Sequence, residues 1–259
     1  MKVLLLLTFL VLCITSVSAQ VQDTIFHPEF TKKINFKSIE GDFNVEKPSI
    51  IKRVIPIALI ASGVLMSKSD FEKSLQSDLR NAVGNDFYTT IDDYTRYAPI
   101  VQLYAADILG AESKNHWFDQ TKNLALSLAL ANVTSTLLKK EVYKLRPGGG
   151  TNANSFPSGH TTTAFATASV FYEEFKDSNQ WLANSGYLFA AATGTLRMMN
   201  NAHYLSDVLV GAGIGILSVK LVYQFDNLIK WNPFKKSKGY AFAPQFMEEG
   251  FGFYFTRIF

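Results

Sequence analysis

Residues 139–160 read KKEVYKLRPGGGTNANSFPSGH, and a second stretch, RMMNNAHYLSD, occupies 197–207. Pro147 disfavours helical geometry at Arg146, and the Pro-Gly-Gly-Gly run at 147–150 breaks the chain there. Pro157-Ser158-Gly159 then opens a new apolar segment, with Ser158 suited to N-cap it. A helix before the break, a helix after it and a third beginning near 204 predict an all-α bundle. The loops that join these helices gather the reactive side chains.

Three clusters stand in this region. Lys139 and Arg146 are seven apart, which on a helix puts them two turns apart on nearly one face, with about 20° of drift. A guanidinium with paired donors and an ammonium point charge suit phosphate. A solvated basic helix end, with Lys140 and Lys144 beside it, explains the same residues. Ser158, Gly159 and His160 fit an anion cradle at a helix N-terminus. An ordinary cap followed by an exposed histidine fits as well. In the third cluster His203 and Asp207 are four apart, so on a helix they share a face, and the carboxylate fixes one ring tautomer. Arg197 precedes them across Asn200-Asn201. Two ligands at i and i+4 also occur in zinc sites. However, His27 and His116 are the only other histidines, and no glutamate flanks His203 in the zinc-protease pattern.

Outward from this core the pattern stays helical, with helices predicted near 50–67, 70–82, 97–111, 117–144, 160–176, 180–198 and 204–228. Residues 84–96 and 112–118 are loops that border the entrance to a site. Asp92, Asp93 and Tyr94 belong either to that entrance or to a surface turn. The apolar stretches 54–66, 123–138, 181–196 and 208–219 are each shorter or more polar than the roughly 20-residue run that crosses a bilayer. Buried helices of a globular domain are therefore the favoured account, with membrane-surface contact left open. After a basic linker at 234–239, residues 240–244 and 251–259 alternate with a two-residue period and predict a short β-hairpin.

The first 19 residues have the layout of a secretory signal: Lys2, an apolar run, then Val17-Ser18-Ala19 as a cleavage site. Cleavage there removes Cys13, the one cysteine, and with it disulfide and thiolate chemistry. Residues 20–49 read as an N-terminal arm, 50–230 as the main domain and 231–259 as linker and hairpin. Lys and Arg number 25 against 22 Asp and Glu. This nearly even balance has no basic stripe, so nucleic acid is not an expected partner.

Taken together, Lys139-x6-Arg146-Pro147, Pro157-Ser158-Gly159-His160 and Arg197-x5-His203-x3-Asp207 resemble the type 2 phosphatidic acid phosphatase (PAP2) superfamily. That family also holds bacterial acid phosphatases and vanadium haloperoxidases. One position departs from its pattern: Leu196 stands where the family usually has Ser. The resemblance covers about 50–228 and implies a helical bundle of the acid-phosphatase type. It implies that Lys139, Arg146 and Arg197 bind phosphate oxygens, aided by Ser158 and the backbone of Gly159. His203 would attack phosphorus, Asp207 would orient it, and His160 would protonate the leaving oxygen. No cofactor or metal is implied, and the substrate would be a lipid phosphate, an isoprenyl diphosphate or a soluble phosphomonoester. A vanadium-dependent haloperoxidase on the same scaffold and a non-catalytic envelope protein are the alternatives. An exported protein, periplasmic or envelope-associated, is expected.

Overall fold

The computed structural model describes residues 50–149, 151, 153–226, 232, 240–247 and 250–257, without the side chains of 50–53 or of the last two segments. The expected leader, arm and basic linker lie outside the described residues. Eight helices are described: α1 (Ile50–Met66), α2 (Asp70–Val83), α3 (Ile91–Thr95), α4 (Ala98–Ile108), α5 (Trp117–Glu141), α6 (Gly159–Phe175), α7 (Gln180–Met199) and α8 (Leu205–Phe225). The helical class expected from the periodicity is what the chain adopts. Two antiparallel strands follow, β1 (Tyr240–Met247) and β2 (Gly250–Arg257), with Tyr240 opposite Arg257 and Met247 opposite Gly250.

Helix α8 is the axis of the bundle, and 210–219 on it are buried throughout. Helices α1, α5 and α6 pack around it, and α7 covers α6. Glycine sets the closeness of α6. A Cβ on Gly211 would lie 2.7 Å from the Ser158 carbonyl oxygen, and one on Gly215 would lie 2.6 Å from that of Thr162. The start of α6 is thus pressed onto the start of α8, and the Ser158 N–H donates to the Asp207 carbonyl at 3.0 Å. Helices α1, α5 and α7 end where α6 and α8 begin, so five helix termini meet at one end of the bundle. Ile60, Leu138, Phe156, Ile214 and Leu217 fill the core beneath that end. Each side chain buried this way contributes about 1.5–3 kcal/mol.

The structure corrects three local expectations. Helix α5 stops at Glu141, three residues short, because Val142 is extended (φ −109°, ψ 104°) and Lys144 pairs with Asn154 in a parallel bridge. Helix α4 stops at Ile108, before Gly110 turns the chain at φ +82°. Residues 84–96 are not wholly loop, since α3 lies within them.

Candidate active site

Helix ends determine the position of every reactive group. Helix α7 closes in a Schellman turn: the Asn201 N–H donates to Met198 O at 2.9 Å, the Ala202 N–H donates to Arg197 O at 3.1 Å, and Asn201 is left-handed at φ +56°. The turn folds His203 back beside Arg197. His203 therefore precedes helix α8 and does not share its face with Asp207, contrary to the i,i+4 expectation. The two meet because Asp207, at the third position of α8, bends its carboxylate back over the helix start, where Oδ2 accepts the Tyr204 N–H at 2.9 Å. That oxygen lies 3.5 Å from His203 Nδ1, which leaves Nε2 as the free ring nitrogen. Ser155 Oγ donates to the same Oδ2 at 2.5 Å and stands 3.5 Å from Nδ1, a contact with no signal in the sequence.

Burial governs the charge of this pair. Desolvation pulls the imidazole of His203 down to about 4, against the opposing pull of Asp207, so the ring is neutral at neutral pH. Burial alone would raise Asp207, but its bond to His203 and the Lys144 ammonium outweigh that and hold the carboxyl at about 2.

The cations arrive by routes other than a shared helix face. Because α5 ends at Glu141, Arg146 lies in the irregular segment beyond it. There its Nε donates to Asn154 Oδ1 at 3.1 Å. Lys139 Nζ donates to Asn154 O at 2.9 Å and also to Pro157 O. Asn154 is thus the clip that brings both cations to one place. Burial first, and Arg146 second, lower the Lys139 ammonium to about 8. Arg197 acts on Lys139, Arg146 and His203 in the same sense, so the three cations share one positive field. Arg197 NH1 is bound to the buried Asp92 at 2.7 Å. Its Nε is buried with no hydrogen-bond partner among the described residues, an unpaired donor beside the other cations.

At the start of α6, Ser158 is the expected N-cap and is fully buried, accepting the Thr161 hydroxyl at 2.9 Å. Its bonds face into the helix. A Cβ on Gly159 would meet only Lys139 Cε, at 3.9 Å, so the first turn of α6 has room beside the Lys139 side chain. His160 Nε2 lies 2.7 Å from Asp93 Oδ1. Burial lowers His160 from its usual value, and the bond to Asp93 opposes the shift. Asp92 and Asp93 therefore stand against Arg197 and His160 and are not a bare surface turn. Asn200 ties their loop to α7 by donating to Thr89 O at 2.8 Å and to Asp92 Oδ1 at 3.0 Å. Asp92, Asp93 and His160 present ligand-type atoms within 4.8 Å of one another, but these atoms are already occupied by Arg197, Asn200 and each other. Thr195 does not replace the serine missing at 196, because its hydroxyl is exposed and bonded to Ala191 O at 3.0 Å.

Lys144 overturns the idea of a solvated basic helix end. It is 4% exposed, and its ammonium donates to Glu72, Ser206 and Asp207.

Residues 120–231 match the model of the PAP2 superfamily. A lipid A 1-phosphatase of Porphyromonas gingivalis is 36% identical over 174 residues, which are 67% of this chain and 38% of that protein. The chain thus spans well under half the length of this curated relative. Two solved structures are similar. The crystal structure of Aquifex aeolicus LpxE is 22% identical with a TM-score of 0.42, over 57% of this chain and 93% of that one. That of a transmembrane PAP2 type phosphatidylglycerolphosphate phosphatase from Bacillus subtilis is 19% identical with a TM-score of 0.49, over 68% and 98%. The matched segment contains Lys139, Arg146, His160, Arg197, His203 and Asp207, and residues 120–231 are thus a PAP2-superfamily segment of this chain.

Proposed function

We propose that this chain is a membrane-associated lipid phosphatase that hydrolyses a phosphate monoester or diphosphate, without metal, through a phosphohistidine at His203. The observation that carries this is a buried, neutral imidazole with one nitrogen turned to a carboxylate, beside three cations and an open Arg197 Nε donor. Phosphate oxygens bind Lys139, Arg146 and Arg197 and the first N–H groups of α6 at Gly159, whose helix start Ser158 caps. Their charge is offset most strongly in the crowded transition state. His203 Nε2 attacks phosphorus as the bond to the leaving oxygen breaks, and His160 gives that oxygen its proton. Water then attacks the phosphohistidine and passes a proton back to His160. The P–N bond breaks and inorganic phosphate leaves. Asp207 holds the tautomer and balances the imidazolium charge between the two steps.

The lipid substrate is supported by the relative whose printed name is a lipid A 1-phosphatase and by the surface of the bundle. One helix among the described residues, Leu205–Phe225, is long and apolar enough to cross a bilayer, and 83% of that window is buried, as in a core helix. The helices around it differ. Stretches 54–67, 123–138 and 181–196 carry no charged residue, yet they expose Leu65, Val133, Leu137, Trp181 and Leu188. An uncharged, exposed apolar surface of this extent suits hydrocarbon better than water. Lys139 and Arg197 follow directly on 123–138 and 181–196, so on this reading the site would stand level with a phosphate headgroup. An exported chain would present it on the outer side of its membrane.

Phosphate release from lipid phosphates in mixed vesicles, with EDTA present, tests the proposal. Release that resists EDTA, is blocked by vanadate and is lost in His203→Ala is expected. Release restored only by divalent metal, or peroxide-dependent halogenation in its place, would overturn it.

A further inference from the structure

Behind His203 lies a charge cluster that the proposed mechanism does not use. Lys144 and Glu72 are 4% and 1% exposed. Lys144 Nζ donates to both Glu72 oxygens at 2.9 and 3.0 Å, to Ser206 Oγ at 2.7 Å and to Asp207 Oδ1 at 2.8 Å. Glu72 is itself fixed, accepting the Lys68 N–H at 2.8 Å and the Ser206 N–H at 3.2 Å. The two oxygens of Asp207 thus have separate duties. Oδ1 is held by Lys144, while Oδ2 serves Ser155, the Tyr204 N–H and His203. Rotating the carboxylate would break every one of these contacts together. A buried ammonium is costly to keep, and here its charge falls on the group that orients the nucleophile.

We infer that Lys144, anchored by Glu72, is a positioning residue that locks Asp207 against His203 and sets the pH at which His203 becomes neutral. The catalytic consequence rests on the phosphohistidine mechanism above, whereas the electrostatic one does not. The charged groups that bear on the His203 ring are Asp207, Lys139 and Arg197, and Asp207 also interacts with Arg146. Lys144 and Glu72 act from behind, with opposite signs. Removing the cation leaves the Asp207 charge less balanced and favours imidazolium. Removing the Glu72 charge does the reverse.

The test follows the His203 Hε1 resonance of the full-length protein against pH, alongside the acid limb of kcat, in wild type, Lys144→Met, Glu72→Gln and the double variant. Lys144→Met should raise the His203 midpoint by about one pH unit and Glu72→Gln should lower it. The double variant should fall between the two, and the acid limb should follow each midpoint. Midpoints that do not move, or that move in one direction for both single variants, would reduce the cluster to a packing role and overturn the inference. If Lys144→Met does not fold, Glu72→Gln and the charge-neutral double variant carry the comparison. Opposite shifts in a protein that releases no phosphate would sustain the electrostatic coupling while removing the phosphatase proposal.

Discussion

A buried carboxylate stands at each end of the bundle, Asp207 at one and Glu174 at the other, and their surroundings differ. Asp207 faces cations and an imidazole, which hold it ionised at about 2. Glu174, 1% exposed at the far end of α6, is met by neutral donors: the Asn115 backbone and side chain, each at 2.9 Å, and the Tyr223 hydroxyl at 2.5 Å. Burial raises its pKa, and those bonds only partly offset the rise. The contrast separates two uses of a buried acid. Glu174 clamps the 112–116 loop and α8 to α6, so that loop lies at the end away from Ser158 and His203 and does not border the site as expected. Asp207 also joins elements, but the Lys144 ammonium and His203 hold it ionised, and a carboxylate charge beside a neutral histidine is what the proposed nucleophile needs.

The sharpest way to break the comparison is to neutralise each acid in turn. Asp207→Asn should lower kcat by about 10³-fold or more, as should His203→Ala. Glu174→Gln should leave kcat within about twofold and instead lower stability by roughly 1–3 kcal/mol, read as a lower Tm. Comparable loss of activity in both variants would remove the distinction.

The pH dependence of stability differs in sign between the ends. His203 is held at about 4 when folded, against an ordinary 6.5, so the unfolded chain binds more protons between those values. Stability from this group is full above about 6.5 and is lost as pH falls toward 4, by on the order of 3 kcal/mol. His203→Gln should flatten that decline in a Tm series. Glu174 has a raised folded value, so its contribution is full below 4.5 and falls as pH rises through that value. The stability gap between Glu174→Gln and wild type should therefore narrow at higher pH. A smaller effect is expected at the entrance. Asp93 favours the protonated form of His160, so Asp93→Asn should shift the basic limb of kcat to lower pH by about one unit. An unmoved limb would detach His160 from the role of acid.

Much of this was legible before the structure. The N-cap at Ser158, the break at Pro147 and the stop at Asn200-Asn201 are local signals, and the helices they bound formed nearly where expected. The candidate residues were legible as types, but the helix faces expected to join them did not form. Lys139 and Arg146 converge through Asn154 rather than along a helix, because Val142 ends α5 early. His203 and Asp207 meet across a helix start rather than along a face. The role of Lys144 could not be read, since its partner Glu72 is 72 positions away and neighbouring basic residues made it resemble a solvated end. Helix α3 is five residues long, too short to show a period. Segment length suggested buried helices, which describes α8. The exposed apolar faces of α1, α5 and α7 became visible only once the packing was known.

The central claim is that His203 carries the phosphoryl group, and trapping it is the most direct measurement. Wild-type protein in vesicles would be mixed with a lipid substrate labelled in its terminal phosphate and quenched in alkali within one turnover. The account predicts label on His203, stable to alkali, labile to acid and absent from His203→Ala. Turnover with no label on the protein, or phosphate release undiminished in His203→Ala, would contradict it.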